Sequence, residues 1–389
     1  MKIVYYSDPS LTDTDFSLVK AFQEGGHDVH FFLKIAPYML RRAVVDIERQ
    51  IPRNDIFPAT EYEELRKFSQ FMDMSQVFVV NKVHKKDVHP QTLWLYEKLC
   101  RRISAINPDM IICTNPLGFA TSLFWRFRSK LVFIIHDPFP HTGENGRRRD
   151  FFRDLCFRYG KRFVLLNANQ VEEFSSTYHI SREQICVGRL APYGVYKAFI
   201  PNKQPAASPS KNVLFFGRIS PYKGVEYLCQ AMEEVHRQIP DATLTIAGNG
   251  KMYFDIEPYK QLDYVSVHNR FITTEEMAQL FNECTFSCCP YTDATQSGVV
   301  MTSFAFEKPV IATAVGGLGE QVDDGVTGIL VPPKDSHALA DTIIRLLSNA
   351  DLYETLRTNI RTKYLSDASE YSWAAVARKM VDFGKEINA

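Results

Sequence analysis

No stretch of eighteen apolar residues occurs in this 389-residue chain, so no transmembrane helix is expected. The opening MKIVYYSDPS turns polar after a few residues. It therefore reads as a first strand and not as a signal peptide. The eight cysteines (Cys100, Cys113, Cys156, Cys186, Cys229, Cys284, Cys288, Cys289) form no CxxC pair. Several stand in apolar runs such as MIICT, and buried thiols of a reducing compartment are the reading preferred over a metal site at Cys284, Cys288 and Cys289. Net charge is also lacking: 45 basic residues balance 45 acidic ones. The balance is uneven along the chain. Residues 1–195 hold 27 Lys and Arg against 22 Asp and Glu, and the remainder holds 18 against 23. The first half is thus the half suited to an anionic neighbour. There is no Gly-x4-Gly-Lys-Ser/Thr loop, no repeat of solenoid period and no nucleic-acid-binding motif.

What is present is a steady alternation. Short apolar runs rich in β-branched and aromatic residues recur at 2–6, 28–32, 77–80, 110–114, 131–135 and 162–166. A second series follows at 212–216, 243–247, 265–268, 286–289, 309–313 and 328–331. Helical patterns separate them. Such runs imply α/β architecture with parallel sheets covered on both faces. Between the two series lies PNKQPAASPSK (201–211), whose Pro, Ser and Ala content reads as a linker. The expected organisation is two doubly wound, Rossmann-like domains facing across a cleft, over 1–200 and 201–370. A terminal amphipathic helix within 371–389 carries Trp373, Val376, Met380 and Phe383 near helical spacing.

Two segments carry chemistry. In VLFFGRISPYKG an apolar strand should stop at Gly217, and a helix should begin near Gly224. Arg218 offers a fork of donors to phosphate oxygens and Lys223 a point charge. Two cations at a strand's carboxyl end before a helix suggest a diphosphate site. The bland alternative is a pair of solvated cations in a loop. The second segment is DATQSGVVMTSFAFEKPVIATAVGGLGEQ (293–321). It reads as a polar turn, a helix, a buried strand and a glycine loop, which brings backbone amides and a helix N-terminus to a sheet's edge. His136 and Asp137 follow the run LVFII. An imidazole at such a strand end can donate to a sugar hydroxyl or to charge developing at a reacting centre, or simply cap a turn.

Taken together, the pieces resemble a family 4 glycosyltransferase of GT-B fold along nearly the whole chain. They are GGHDVHFF, HDPFPHTGE, APYGVYKAFIP, FFGRISPYKG, LTIAGNG, EEMAQLFNEC before FSCCPY, QSGVVMTSFAFEKPVIATAVGGLGEQV, GVTGILVPPKD and YSWAAVARKM, in that order. The resemblance implies a retaining enzyme of hexosyltransferase type, acting in polysaccharide biosynthesis without a metal or other cofactor. A sugar would move from a nucleoside-diphosphate donor to a hydroxyl of a glycan or lipid-linked acceptor. It implies that Arg218 and Lys223 hold the diphosphate beside Gly217, and that Gly298 and Val299 supply amides. The base would sit near Arg270, Phe271 and Ile272. His136 is implied in the sugar site, and the terminal helix is implied to pack back on the first domain. The chain departs from the family where a Glu-x7-Glu signature is usual: those positions fall on Ala294 and Thr302. Gln296 and Ser297 would replace the first carboxylate by neutral hydrogen bonds, and Thr302 would make a shorter, uncharged contact to ribose. On the acceptor side stand Asp8, in a loop that replaces the family's Gly-Gly turn, and Asp137, His141 and Glu144.

The missing carboxylates also fit a non-catalytic nucleotide- or glycan-binding protein of the same fold. A GT-B nucleotide-sugar epimerase is the third reading, and TQSGVV weighs against it. Basic and aromatic residues interleave in 31–44, 124–130 and 147–162. Such stretches either lie on an anionic lipid surface or belong to packed helices with solvated arginines. The expected location is the cytoplasm, with peripheral contact at the membrane's inner face through the N-terminal half left open. No nucleic-acid partner is expected.

Overall fold

The computed structural model describes all residues except 115–123, 137, 140–146, 201–210, 295, 367–368 and 386–389. The chain divides into two compact units, one of Met1–Leu190 with Trp373–Ala389 and one of Ala191–Ser372. The division falls ten residues before the expected boundary at 200/201, for a packing reason. Tyr193, Val195, Tyr196 and Phe199 are all buried. Tyr193 donates its amide to the Met301 carbonyl at 3.4 Å, and the turn Tyr196–Phe199 packs on the helix Thr274–Glu283. This apolar stretch is thus core of the second unit. The expected linker at 201–211 lies outside the described residues apart from Lys211.

The first unit is built on an eight-stranded sheet. Its elements begin with β1 (Lys2–Ser7), α1 (Thr12–Glu24), β2 (Asp28–Ile35), a small hairpin of β3 (Arg41–Arg42) and β4 (Val45–Asp46), and β5 (Asp55–Pro58). They continue with α2 (Glu63–Arg66), β6 (Val77–Asn81), α3 (Pro90–Ile106), β7 (Met110–Thr114) and β8 (Leu131–Ile135). The series ends with α4 (Arg147–Tyr159), β9 (Phe163–Leu165), α5 (Val171–Tyr178) and β10 (Ile185–Val187). The strand order is β10-β9-β8-β7-β1-β2-β6-β5. All pairs are parallel except β5 with β6. Each of β7 and β8 is buried at all five positions, which explains why they read as continuous apolar runs and not as alternating ones. The strands at 41–46, 55–58 and 185–187 were not legible: each is short, and β5 carries both Asp55 and Pro58.

The second unit holds β11 (Asn212–Phe216), α6 (Val225–Gln238), β12 (Thr243–Gly248), α7 (Glu257–Lys260), β13 (Val265–Asn269) and α8 (Thr274–Glu283). Then come β14 (Phe286–Cys289), α9 (Gly298–Ala305), β15 (Val310–Thr313), α10 (Leu318–Gln321), β16 (Gly328–Val331), α11 (Ser336–Ser348) and α12 (Ala350–Tyr364). Its parallel sheet runs β13-β12-β11-β14-β15-β16. Numbered within the unit this is 3-2-1-4-5-6, the doubly wound order that binds ligands where the winding reverses. The reversal lies between β11 and β14, so the loops after those strands flank the crevice. The chain then re-enters the first unit through α13 (Trp373–Lys385), which packs on α1 and β10.

All eight cysteines are free thiols, and all but Cys186 are buried. Burial pushes Cys284 up to about 12, so it is inert as a nucleophile at neutral pH. Among the described residues, no helix is long and apolar enough to cross a membrane.

Candidate functional site

The loop after β11 is extended before it turns. Gly217 donates its amide to the Ala247 carbonyl at 3.0 Å, and Ile219 donates to Asn249 at 3.1 Å. Arg218 between them is exposed, and its guanidinium donates to the Tyr222 hydroxyl at 3.1 Å. The tight turn Pro221–Lys223 leads to Gly224, which precedes α6. Lys223 points its ammonium over the Tyr291 ring, 3.6 Å from the centroid, with Tyr222 at 5.0 Å. A ring face attracts an ammonium through its quadrupole and so helps to fix where the charge stands. Both cations named from sequence therefore stand on one short loop, positioned by aromatic residues.

The loop after β14 is fastened to it. Thr292 donates its amide to the Tyr222 carbonyl at 2.8 Å. Gly224 has φ of 61°, and a Cβ there would lie 2.0 Å from the Pro290 carbonyl oxygen. No other residue type allows the two loops to approach so closely. Tyr291 is fully buried, and its hydroxyl lies 3.1 Å from that of Ser297. The Gln321 side chain then grips the Ser297 backbone at both ends. Its carbonyl oxygen accepts the Ser297 amide at 2.7 Å, and its amide donates to the Ser297 carbonyl at 3.2 Å. Ser297 is the residue before α9 and does not cap it with its side chain. The amides of the first turn, including Gly298 and Val299, are left facing the loop end, where the helix dipole favours an anion. Gln296 beside them is half-buried.

Thr302 is a correction. The resemblance implies that it contacts a ribose. In the structure it is 1% exposed and its hydroxyl donates to the Gly298 carbonyl at 3.0 Å, one helical turn back. Threonine in a helix makes this bond readily, and α9 buries everything from Val300 to Ala305. Its role is packing. Ala294, at the first signature position, is also buried, and its carbonyl accepts the Gly317 amide at 3.2 Å.

The segment after β13 is similarly braced. Arg270 donates its amide to the Gly248 carbonyl at 3.0 Å and forms a two-pronged ion pair with Glu276 at 2.7 and 2.8 Å. Glu276 also closes the capping box of Thr273 at the start of α8. The Arg270 guanidinium holds the Glu276 carboxyl down at about 2. Phe271 is half-buried and Ile272 buried. Asn269 accepts the Gly250 amide and donates to its carbonyl, both at 3.1 Å, tying this segment to the loop after β12.

In the first unit, His136 directly follows β8 and is 5% exposed. Asp8 follows β1; its carboxylate accepts the Ser10 amide at 3.0 Å and lies 3.9 Å from the Lys34 ammonium. Asp8 thus caps a turn. Asp137, His141 and Glu144 lie outside the described residues. At the reversal of this sheet, between β1 and β7, sits a carboxyl the sequence did not flag. Asp15 is fully buried and accepts from the hydroxyls of Tyr5 at 2.7 Å, Thr114 at 2.8 Å, and Ser7. Burial outweighs these bonds and lifts it to about 7. Tyr222, Tyr291, Gln321 and Asn269 were also missed. The tyrosine between Arg218 and Lys223 was the one readable sign, since an aromatic ring between two cations can hold both. Gln321 is twenty-four residues from the backbone it grips, a separation no spacing rule covers.

Residues 210–349 match the family described as glycosyl transferases group 1. This region is a group 1 glycosyl transferase domain. It contains β11 to β16 and every second-unit site residue named above. An uncharacterized glycosyltransferase of Methanocaldococcus jannaschii is 34% identical over 149 residues, covering 38% of this chain and 41% of that protein. The alpha-D-kanosaminyltransferase of Streptomyces kanamyceticus is 30% identical over 180 residues, covering 45% of each. The chain therefore spans less than half the length of these curated relatives. Over its full length the fold is GT-B. The Anabaena protein HepE, solved in complex with UDP and glucose, superposes with a TM-score of 0.68 over 99% of this chain and 100% of that one, at 16% identity.

Proposed function

We propose that this chain is a retaining, metal-independent glycosyltransferase of hexosyltransferase type. It moves a sugar from a nucleoside-diphosphate donor to a hydroxyl of a glycan or glycolipid acceptor. The observation that carries the reading is the crevice of the group 1 domain. There Arg218 and Lys223 stand on one loop, locked through Thr292 and Gly224 to the loop that presents the uncapped start of α9. Two fixed cations and a helix start fit a diphosphate. Charge that develops on the departing diphosphate during transfer would be stabilised by the same groups, without a metal. HepE binds UDP and glucose on a similar fold, which supports a nucleotide-sugar donor.

Calorimetry of nucleoside diphosphates against the matching nucleosides tests the site. Arg218→Ala or Lys223→Ala is expected to weaken diphosphate binding by roughly 1.5–3 kcal/mol, the range for a charge-assisted bond, and to leave nucleoside binding nearly unchanged. Equal losses for both ligands overturn the assignment. Turnover in the presence of EDTA, and the anomeric configuration of the product by NMR, test the metal-free and retaining parts. Ala294 and Thr302, both buried where carboxylates are usual, favour a second reading as a binding protein without turnover. Slow hydrolysis of a bound donor decides for the transferase.

A further inference from the structure

We propose that the first unit docks on bilayers containing anionic lipid through a surface built by the turn Phe124–Phe127, the residues up to Lys130, and the end of α4 up to Arg162. Trp125 and Tyr159 are 46% and 41% exposed, and their rings meet edge to face at 5.5 Å. Two large amphipathic rings side by side at a surface are what the water–lipid boundary accommodates. The pair is fixed in place. Arg128 stacks on Trp125 at 4.8 Å and donates to the Tyr159 carbonyl at 2.8 Å. Arg162 donates to the Ser129 carbonyl at 3.1 Å, and Lys130 to Pro108 at 2.7 Å. Phe127 packs against the core of the unit.

Basic residues predominate beside the rings. The two short segments contribute Arg126, Arg128, Lys130, Arg158, Lys161 and Arg162, and neither contains an acidic residue. Neighbouring acids include Glu97 on α3, which pairs with Arg101 at 2.9 Å and lies 4.0 Å from Arg126. They also include Asp154 on α4, which lies 3.4 Å from Arg153, and Glu183, next to the Gln184 that donates to the Lys161 carbonyl at 3.0 Å. A cluster of this size attracts phosphatidylglycerol-type headgroups through Coulomb energy while the rings enter the boundary. The first of the three basic aromatic stretches in the sequence behaves differently: Phe31, Phe32, Leu33 and Ile35 are core residues of β2. The docking surface precedes β8 and β9, at the amino ends of those strands. Docking there leaves the carboxyl ends, with Asp8 and His136, uncovered.

Sedimentation of the full chain with vesicles tests the surface without any assumption about the reaction. The comparison is phosphatidylcholine alone against phosphatidylcholine with phosphatidylglycerol. Binding is expected only with the anionic lipid and is expected to fall as salt rises. Arg126→Glu with Lys161→Glu is expected to lower the partition at least about tenfold, since each charge near the surface contributes about 1 kcal/mol. Trp125→Phe is expected to remove the vesicle-induced blue shift from the tryptophan emission while sedimentation persists. Equal binding to both vesicles overturns the proposal. So does unchanged binding by a charge-reversed variant that melts like the parent, or tighter binding of an RNA oligonucleotide than of anionic vesicles.

Discussion

At the residue scale the candidate site shows why a residue's place in the fold was legible and its partners were not. Arg218 and Lys223 stand out in the sequence because a strand's carboxyl end before a helix is where such folds bind ligands. Their holders, Tyr222 and Tyr291, are ordinary core and loop residues in sequence, and only the folded loops bring the rings to 3.6–5.0 Å from the Lys223 ammonium. Thr302 was misread for a related reason: position in a family signature fixes where the backbone lies, but an i−4 hydrogen bond and burial fix what the side chain can reach. Thr302→Val is therefore expected to leave diphosphate affinity within about twofold and to change stability by less than about 1 kcal/mol, the net worth of one such bond. Thr302→Glu places an unpaired carboxylate in a closed interior and is expected to cost several kcal/mol, read as a lowered melting temperature. A loss of affinity in the valine variant at unchanged stability would return Thr302 to the binding surface.

At the element scale the strands were the most legible part. Five-residue runs such as NVLFF and LVFII appear in the structure with the bounds read from sequence, because a strand buried on both faces admits little but apolar residues. Loop-to-loop approach left a fainter trace. Gly224 and Gly316 are two of the points where a glycine sets the site's shape: Gly316 has φ of 46°, and a Cβ there would fall 1.7 Å from the Ala294 carbonyl oxygen. A glycine in the sequence marks freedom at that position, but not which carbonyl comes near. Gly224→Ala is expected to push the Pro290 loop away and to destabilise the second unit by more than about 2 kcal/mol, since the strained φ and the steric clash add. Urea titration of the variant checks this, and an unchanged midpoint would mean that the loops separate at no cost.

At the scale of the whole molecule, stability depends on pH through a group that no motif announced. Asp15 ionises near 7 in the folded chain and near 3.8 when unfolded. The folded state thus binds more protons between those values. Its contribution to stability is fully present below about 4, falls as pH rises towards 7, and is absent above. A melting temperature that declines from pH 5 to pH 7.5, with the decline reduced in Asp15→Asn, is the expected result. Glu276 has the opposite sign, because Arg270 lowers it; its contribution is present above 4.5 and is lost as pH falls through about 2. The two windows overlap only between 3.8 and 4.5, so the slopes separate on either side of that interval. The chain's path between the units has a further consequence. Trp373–Ala389 belongs with Met1–Leu190, so the second unit is a guest inserted into the first. Gly384 lies where a Cβ would meet Met110 on β7 at 2.9 Å and Met1 at 3.5 Å. During synthesis, the unit begun first is closed only after its guest: its α1 face stays uncovered until α13 leaves the ribosome, by which time the entire guest has been made.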